Sequence, residues 1–450
     1  MKEQYFQRLI DLELQQWSGE MRRKPLLLRG ARQVGKTSAV RNLGLTFEYY
    51  VELDMNDMSN LHPLFEKQLS PQQICEQISL IVNIPIIAGK TLLFIDEIQS
   101  CPAAIGKLRY FYEQYPKLHL IAAGSLLEFA LEDLPSFGVG RIRSIYMYPF
   151  SFEEFMMAMG EKNLVEAYRN ASPQKPLFDA VHQKLTDRLR TFMIIGGMPE
   201  VVAVYVEKRD LIYCQGVLND IIISFKDDFT KYRKKIPSSR INDVFISVAE
   251  QGLGKFVYSR VNTEARAEQI KQALDTLILA GLVYPVTHTS ANGIPLGAEV
   301  NEKYQRMIFI DTGLLLRVLG LYTSDILLSD DIRIVNRGAI AETFVGTELV
   351  KASSCYSPER LYYWHREKSN SNAEVDFVVQ LNESIYPVEV KSGIKGSMQS
   401  MRIFLDNKKR KTGIRTSLEN FCHYNDIDVY PLYAISNLYH QRSTRVVPDL

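Results

Sequence analysis

The apolar run Leu26-Leu27-Leu28-Arg29 leads straight into Gly30-Ala31-Arg32-Gln33-Val34-Gly35-Lys36-Thr37-Ser38, and a helix-forming stretch follows. A glycine loop between a strand and a helix turns backbone N–H groups toward one point. The partial positive charge of the helix N-terminus adds to them, which makes a cradle for phosphates. Lys36 reaches the β- and γ-phosphates of a nucleotide in such a loop, and the Thr37 hydroxyl ligates Mg²⁺. From about residue 20 to 150, short apolar runs alternate with amphipathic stretches, the pattern of a parallel sheet with helices on both faces. The expected strands are Leu26 to Arg29, Phe47 to Leu53, Thr91 to Ile95, Leu118 to Ala123 and Arg141 to Tyr148.

Asp96 and Glu97 directly follow the apolar strand Thr91-Leu92-Leu93-Phe94-Ile95. An acid at the end of such a strand holds Mg²⁺ through water, and a glutamate beside it can polarise the water that attacks the γ-phosphate. The pair therefore points to ATP hydrolysis, with Lys36 and Glu97 as catalytic residues, loop residues 30–38 holding ATP, and Thr37 with Asp96 holding Mg²⁺. On these motifs the sequence resembles the AAA-type ATPases, and within them a bacterial and archaeal group whose loop reads Gly-Ala-Arg-Gln-Val-Gly-Lys-Thr. The resemblance implies that one strand, here Leu118 to Ala123, separates the loop strand from the Asp-Glu strand. It also implies that Ser125 is the polar sensor of the γ-phosphate. Arg141 and Arg143 are candidate arginine fingers, a role that in trans requires a homo-oligomer.

Residues 152 to about 232 have helical spacing, broken at Ser172-Pro173 and Gly196-Gly197-Met198-Pro199, and read as a helical lid. A basic, loop-like stretch follows, Lys226 to Lys235. Helices at Ile241 to Gln251 and Thr263 to Gly281, then strands at Leu282 to Val286 and Gln305 to Asp311, give the helices-then-hairpin order of a winged helix. Ile270, Leu274 and Leu277 form one face of the second helix, and Arg266, Gln269 and Lys271 form another. That polar face suits contacts with DNA, although a winged helix can equally pack against protein.

The C-terminal region holds a second constellation. Ala373-Glu374-Val375-Asp376-Phe377-Val378-Val379 precedes Tyr386-Pro387-Val388-Glu389-Val390-Lys391, with a turn at Asn382-Glu383-Ser384. Strand alternation puts Glu374 with Asp376 on one face, and likewise Glu389 with Lys391. Unpaired carboxylates side by side repel, and a divalent cation reverses that sign. The spacing resembles the PD-(D/E)XK nuclease superfamily, and Glu342 on the preceding helix matches the additional helical acid found there. The resemblance implies that Asp376, Glu389 and Glu342 ligate Mg²⁺ and that Lys391 orients or activates the attacking water. Val375 stands where proline is common. Lys391, Lys395, Arg402, Lys408, Lys409, Arg410, Lys411 and Arg415 make the following stretch the most basic in the chain, which suits a phosphate backbone.

Four domains are therefore expected: an AAA-type P-loop domain over 1–150, a helical lid over 151–235, a winged helix over 236–330, and an α/β nuclease-like (restriction-endonuclease-like) domain over 331–450. A length of 450 residues accommodates them. The net charge of +1 says nothing for or against a nucleic-acid partner. Five scattered cysteines without CxxC pairing disfavour a disulfide framework and a zinc site, and no apolar run approaches the roughly 20 residues that span a bilayer. The expectation is a cytoplasmic ATPase with no membrane association. It couples hydrolysis to a DNA-binding winged helix and a Mg²⁺-dependent nuclease-like domain. The competing expectation is an ATP-dependent switch or scaffold whose nuclease-like domain is inactive and binds DNA or protein.

Overall fold

The computed structural model describes residues 5–132, 140–232, 236–252, 254–262, 264–321, 337–358, 360–367, 373–393 and 398–442. Two units emerge: Met1–Tyr148 with the short segment Cys355–Pro358, and Pro149–Ser354 with Glu359–Asp449. The junction expected at residues 330 and 331 lies outside the described residues, as do Arg233, Lys234, Lys235 and Lys395 of the two basic stretches.

The first unit is built on strands β1 (Leu26–Arg29), β2 (Tyr49–Asp54), β3 (Thr91–Asp96), β4 (His119–Ala123) and β5 (Arg143–Tyr146), all parallel, in the order β2-β3-β4-β1-β5. Every residue of β3 and β4 is buried, as expected of strands covered on both faces. This explains why they read as unbroken apolar runs. The expected insertion of β4 between β1 and β3 is present, while β2 and β5 are shorter than the sequence suggests. Helices α1 (Ile10–Gly19), α2 (Lys36–Gly44), α3 (Pro71–Val82) and α4 (Pro102–Gln114) accompany the sheet. Ser70 and Gln73 open α3 with a capping box, and Ile74, Ile78, Ile105, Leu108 and Phe111 from α3 and α4 join Leu93, Ile95 and Leu120 in one core.

The second unit begins with five helices: α5 (Phe152–Ala158), α6 (Lys162–Arg169), α7 (Asp179–Ile195), α8 (Pro199–Lys208) and α9 (Leu211–Tyr232). The stretch expected as a loop from Lys226 is helical as far as Tyr232. Ile222, Phe225, Phe229 and Tyr232 are buried along α9, and Asp228 is buried beside Lys231 at 2.9 Å. The apolar stripe outweighs the charges between its members.

Helices α10 (Ser238–Gln251) and α11 (Ala267–Leu279) are followed by the antiparallel pair β6 (Val283–Thr289) and β7 (Val300–Phe309), then α12 (Thr312–Val318) and α13 (Arg337–Ala352). The helices-then-hairpin order is present. The hairpin also continues into strands β8 (Leu361–His365), β9 (Glu374–Leu381), β10 (Ser384–Val390), β11 (Gly413–Ser417), β12 (Cys422–Tyr424) and β13 (Ile427–Pro431). Their order is β12-β13-β11-β10-β9-β8-β6-β7, and β6 joins β8 in parallel, with Val286 opposite Leu361. Helix α14 (Gln399–Lys408) leads from β10 to β11.

The segments 196–199 and 311–314 meet in this unit. The Asp311 carboxylate accepts from Gly197 N at 2.6 Å and from Leu314 N at 3.0 Å, so it caps α12 and holds the α7–α8 turn at once. A Cβ on Gly197 would lie 2.2 Å from Phe150 O, and one on Gly313 2.4 Å from Ile195 O. Only glycine fits at either position.

All five cysteines are free thiols. Among the described residues no helix is long and apolar enough to cross a membrane.

Candidate functional site

The phosphate loop owes its shape to left-handed backbone at Gly30 (φ 135°), Gln33 (φ 64°) and Gly35 (φ 96°). A Cβ at Gly30 would lie 2.1 Å from Met147 O, so this position accepts no side chain. Lys36 is buried, and its ammonium donates to Gly30 O at 2.9 Å and Ala31 O at 2.8 Å. Burial pushes its pKa down to about 8, against the opposing pull of Glu97 and Asp96. The Thr37 hydroxyl donates to Asp96 Oδ2 at 2.6 Å, and Glu97 N donates to Asp96 Oδ1 at 2.9 Å. Burial raises the Asp96 pKa, while the Thr37 and backbone hydrogen bonds hold it down.

Glu97 itself is left-handed at φ 48°, a conformation that costs a non-glycine residue roughly 1–3 kcal/mol and recurs at functional sites. Its carboxylate accepts from Ser125 Oγ at 3.1 Å and from the Gln99 amide. The ends of β1, β3 and β4 thus bring Lys36, Thr37, Asp96, Glu97 and Ser125 together. These residues fit a magnesium nucleotide: a lysine whose ammonium rests on two loop carbonyls, a hydroxyl paired with a carboxylate, and a loop of left-handed backbone ahead of α2.

Three residues of this unit escape a motif-based reading. Arg8 is buried and donates to Val34 O at 3.1 Å and Tyr148 O at 2.7 Å, bracing the loop from outside it. Gln99 lies over Gly124, where a Cβ would meet its amide oxygen at 1.9 Å. Arg29 pairs with Glu128 and stacks on Tyr146. The two finger candidates are engaged within the chain: Arg141 with Glu113, and Arg143 with Glu20 at 2.5 Å.

In the second unit, a two-residue turn at Asn382-Glu383, with Asn382 at φ 53°, sets Ser384 opposite Leu381. The turn is one residue tighter than expected. Val390 N donates to Asp376 Oδ2 at 2.8 Å, and Lys391 Nζ contacts Glu389 Oε1 at 2.6 Å. Glu342 reaches the same place from α13. A Cβ on Gly346, one turn along that helix, would lie 2.5 Å from Ile308 Cδ1 and 3.1 Å from Phe377, so glycine is what lets α13 approach the sheet. Burial, reinforced by the Asp376 charge, raises Glu342 well above the usual carboxylate range and pushes Glu389 up to about 7. Asp376 is also raised, chiefly by burial.

Arg306 on β7, absent from the sequence-level site, lies among these acids. It pairs with Glu374 and stands 3.8 Å from Glu342 Oε2 and 3.9 Å from Asp376 Oδ1. Its position follows from strand pairing across the hairpin, which no local motif encodes. Among the described residues, no three Asp, Glu, His or Cys side chains form a ready metal-holding group. Yet Glu389 is 5% exposed and its buried Oε2 has no hydrogen-bond partner. An orphaned carboxylate oxygen beside other desolvated carboxylates suits the chemistry of a hard divalent cation.

On α11, the Gln269 amide oxygen accepts from Arg266 N at 3.1 Å, so this residue caps its own helix. In the C-terminal basic stretch, Lys408 and Arg410 bind Asn292, and Arg415 is buried on β11. These three do not extend freely to solvent.

Residues 22–156 match the family model of an AAA domain (AAA_14). Residues 186–325 and 337–435 each match a domain of unknown function (DUF8612 and DUF4143). The first match carries the phosphate loop and the parallel sheet, so the chain contains an AAA-type P-loop ATPase domain. No curated protein matches the chain. Solved structures similar to it include the Aeropyrum pernix Orc1 protein in complex with DNA, at 12% identity and TM-score 0.28, covering 71% of this chain and 93% of that one. Drosophila ORC bound to DNA gives 12% and 0.23, covering 69% and 94%, and a Thermotoga maritima RuvB variant gives 15% and 0.24, covering 61% and 85%. At TM-scores this low, the likenesses add nothing to the reading of this chain.

Proposed function

We propose that the chain hydrolyses ATP at the loop of residues 30–38 and uses that cycle to control a nucleic-acid-directed second unit. The observation that carries this reading is the meeting of Lys36, Thr37, Asp96, Glu97 and Ser125 at one end of a parallel sheet. The loop N–H groups cradle the phosphates, and Lys36 exchanges the Gly30 and Ala31 carbonyls for β- and γ-phosphate oxygens. Thr37 and Asp96 hold Mg²⁺, which when bound neutralises phosphate charge. Glu97, released from Gln99, accepts the proton of the attacking water, and Ser125 reports the γ-phosphate. Lys36→Ala and Glu97→Gln should each lower ATP turnover about a hundredfold or more. Lys36→Ala should also weaken binding of a fluorescent nucleotide, whereas Glu97→Gln should retain it. Wild-type turnover by Lys36→Ala would reject the site.

For the second unit the preferred reading is a Mg²⁺-dependent nuclease-like centre at Glu342, Asp376 and Glu389, with Lys391 orienting water and the α10–α11 helices with their hairpin contacting DNA. The metal would supply charge stabilisation and an activated water. The alternative, a domain that binds DNA or protein without cutting, is favoured by one observation: Arg306 already sits among the acids. Plasmid and linear DNA incubated with Mg²⁺ or Mn²⁺, with and without ATP, separate the two. Cleavage lost in Glu389→Ala supports the nuclease, and no cleavage of DNA or RNA by wild type supports the binding role.

A further inference from the structure

The acidic centre holds four carboxylates and two cations. Glu342 comes from α13, Glu374 and Asp376 from β9, Glu389 from β10, Arg306 from β7, and Lys391 follows β10. Fully ionised, these six groups leave two negative charges uncompensated, the charge one divalent cation would neutralise. The two cations are not equivalent. Lys391 hydrogen-bonds Glu389 at 2.6 Å. Arg306 pairs with Glu374, has its guanidinium carbon 4.3 Å from the centre of the Tyr363 ring, and keeps Glu342 and Asp376 at 3.8 and 3.9 Å, beyond hydrogen-bond reach. Its side chain is 5% exposed, so its charge is poorly screened.

We propose that Arg306 is the resident counter-cation of this centre and that a divalent cation binds there in competition with its guanidinium. This rests on the metal-site reading of Glu342, Asp376 and Glu389. Oxygen ligands hold Mg²⁺ or Mn²⁺ at roughly 2.0–2.2 Å, so a metal on Asp376 and Glu342 would lie within a few ångströms of a buried positive charge. The repulsion lowers metal affinity until the guanidinium swings away. Tyr363 and Glu374 also contact Arg306, and the guanidinium can keep both partners as it moves off Glu342 and Asp376. Glu374 is not among the expected ligands, so Arg306 and the metal divide the acids between them.

The test is calorimetric titration of nucleotide-free, full-length protein with Mn²⁺, comparing wild type, Arg306→Gln, Arg306→Lys, and Arg306→Gln combined with Glu389→Gln. Arg306→Gln should bind Mn²⁺ at least about tenfold more tightly than wild type. Arg306→Lys should stay near wild type, and the double variant should lose the gain. If Arg306→Gln is unfolded without metal, Mn²⁺ should restore its circular dichroism, because the ion replaces the missing charge. Equal, measurable affinities in wild type and Arg306→Gln would overturn the competition and leave the metal site standing. Weaker binding by a folded Arg306→Gln, or no refolding with Mn²⁺, would overturn the competition as well. No binding by any variant would overturn both readings.

Discussion

Lys36 is a charged group almost withdrawn from water, and the proton it carries is correspondingly loose. Its pKa falls from 10.5 to about 8 because burial penalises the ammonium. Between those values the folded chain binds fewer protons at this site than the unfolded chain. The Lys36 contribution to stability therefore rises as pH rises from about 8 to 10.5. Nucleotide phosphates reverse the preference by favouring the charged form. ATP binding at pH 9 should accordingly take up close to about one proton per site, and much less at pH 7. Calorimetry in buffers of different ionisation enthalpy measures this, and an uptake that does not change between the two pH values would exclude Lys36 as the phosphate ligand. Lys36, Thr37, Asp96 and Glu97 were legible in the sequence because their neighbours along the chain define them. Arg8 and Arg306 were not, because each acquires its role from a strand or loop distant in sequence; Gln99 was not, because a neutral amide two residues from Glu97 carries no motif.

Elements read well where one face dominates. The strands β9 and β10 emerge from alternation, and β3 and β4, covered on both faces, from unbroken apolar runs. The end of α9 does not, because Lys226, Asp227 and Lys231 interrupt the stripe of Ile222, Phe225, Phe229 and Tyr232 without breaking it. The segments 196–199 and 311–314 give no local signal for a different reason: each is half of one joint. Asp311→Ala leaves the buried Gly197 and Leu314 N–H groups without their carboxylate acceptor. The second unit should lose about 2 kcal/mol or more, although relief of the buried Asp311 charge returns part of this. A lowered urea midpoint for the transition of this unit, with ATP binding retained, is the expected result; an unchanged midpoint would mean that the joint is dispensable.

For the molecule as a whole, the main departure from a string of independent modules is the eight-stranded sheet. Its β6–β8 ladder joins the hairpin to the C-terminal strands through Val286, Thr287 and His288 against Leu361, Tyr362 and Tyr363. Non-local parallel pairing leaves no mark in a local sequence pattern, which is why the hairpin and the C-terminal region read as separable. A fragment of residues 337–450 bares the β8 edge and lacks Arg306, so it should aggregate in size-exclusion chromatography. A fragment starting at Ser238 retains the hairpin and should aggregate less. Monodisperse behaviour of the shorter fragment would show that the hairpin is not needed to close the sheet.

The same ladder bears on how such a chain can be inherited. Its two matched families end at residue 325 and begin at residue 337, on either side of a junction that the sheet spans. Backbone pairing across β6 and β8 tolerates almost any partner sequence, but the guanidinium among the carboxylates does not. Gene exchange at that junction would deliver Glu342, Glu374, Asp376 and Glu389 to a host hairpin with no reason to carry a matching arginine. The two halves are therefore expected to travel through evolution as a linked pair.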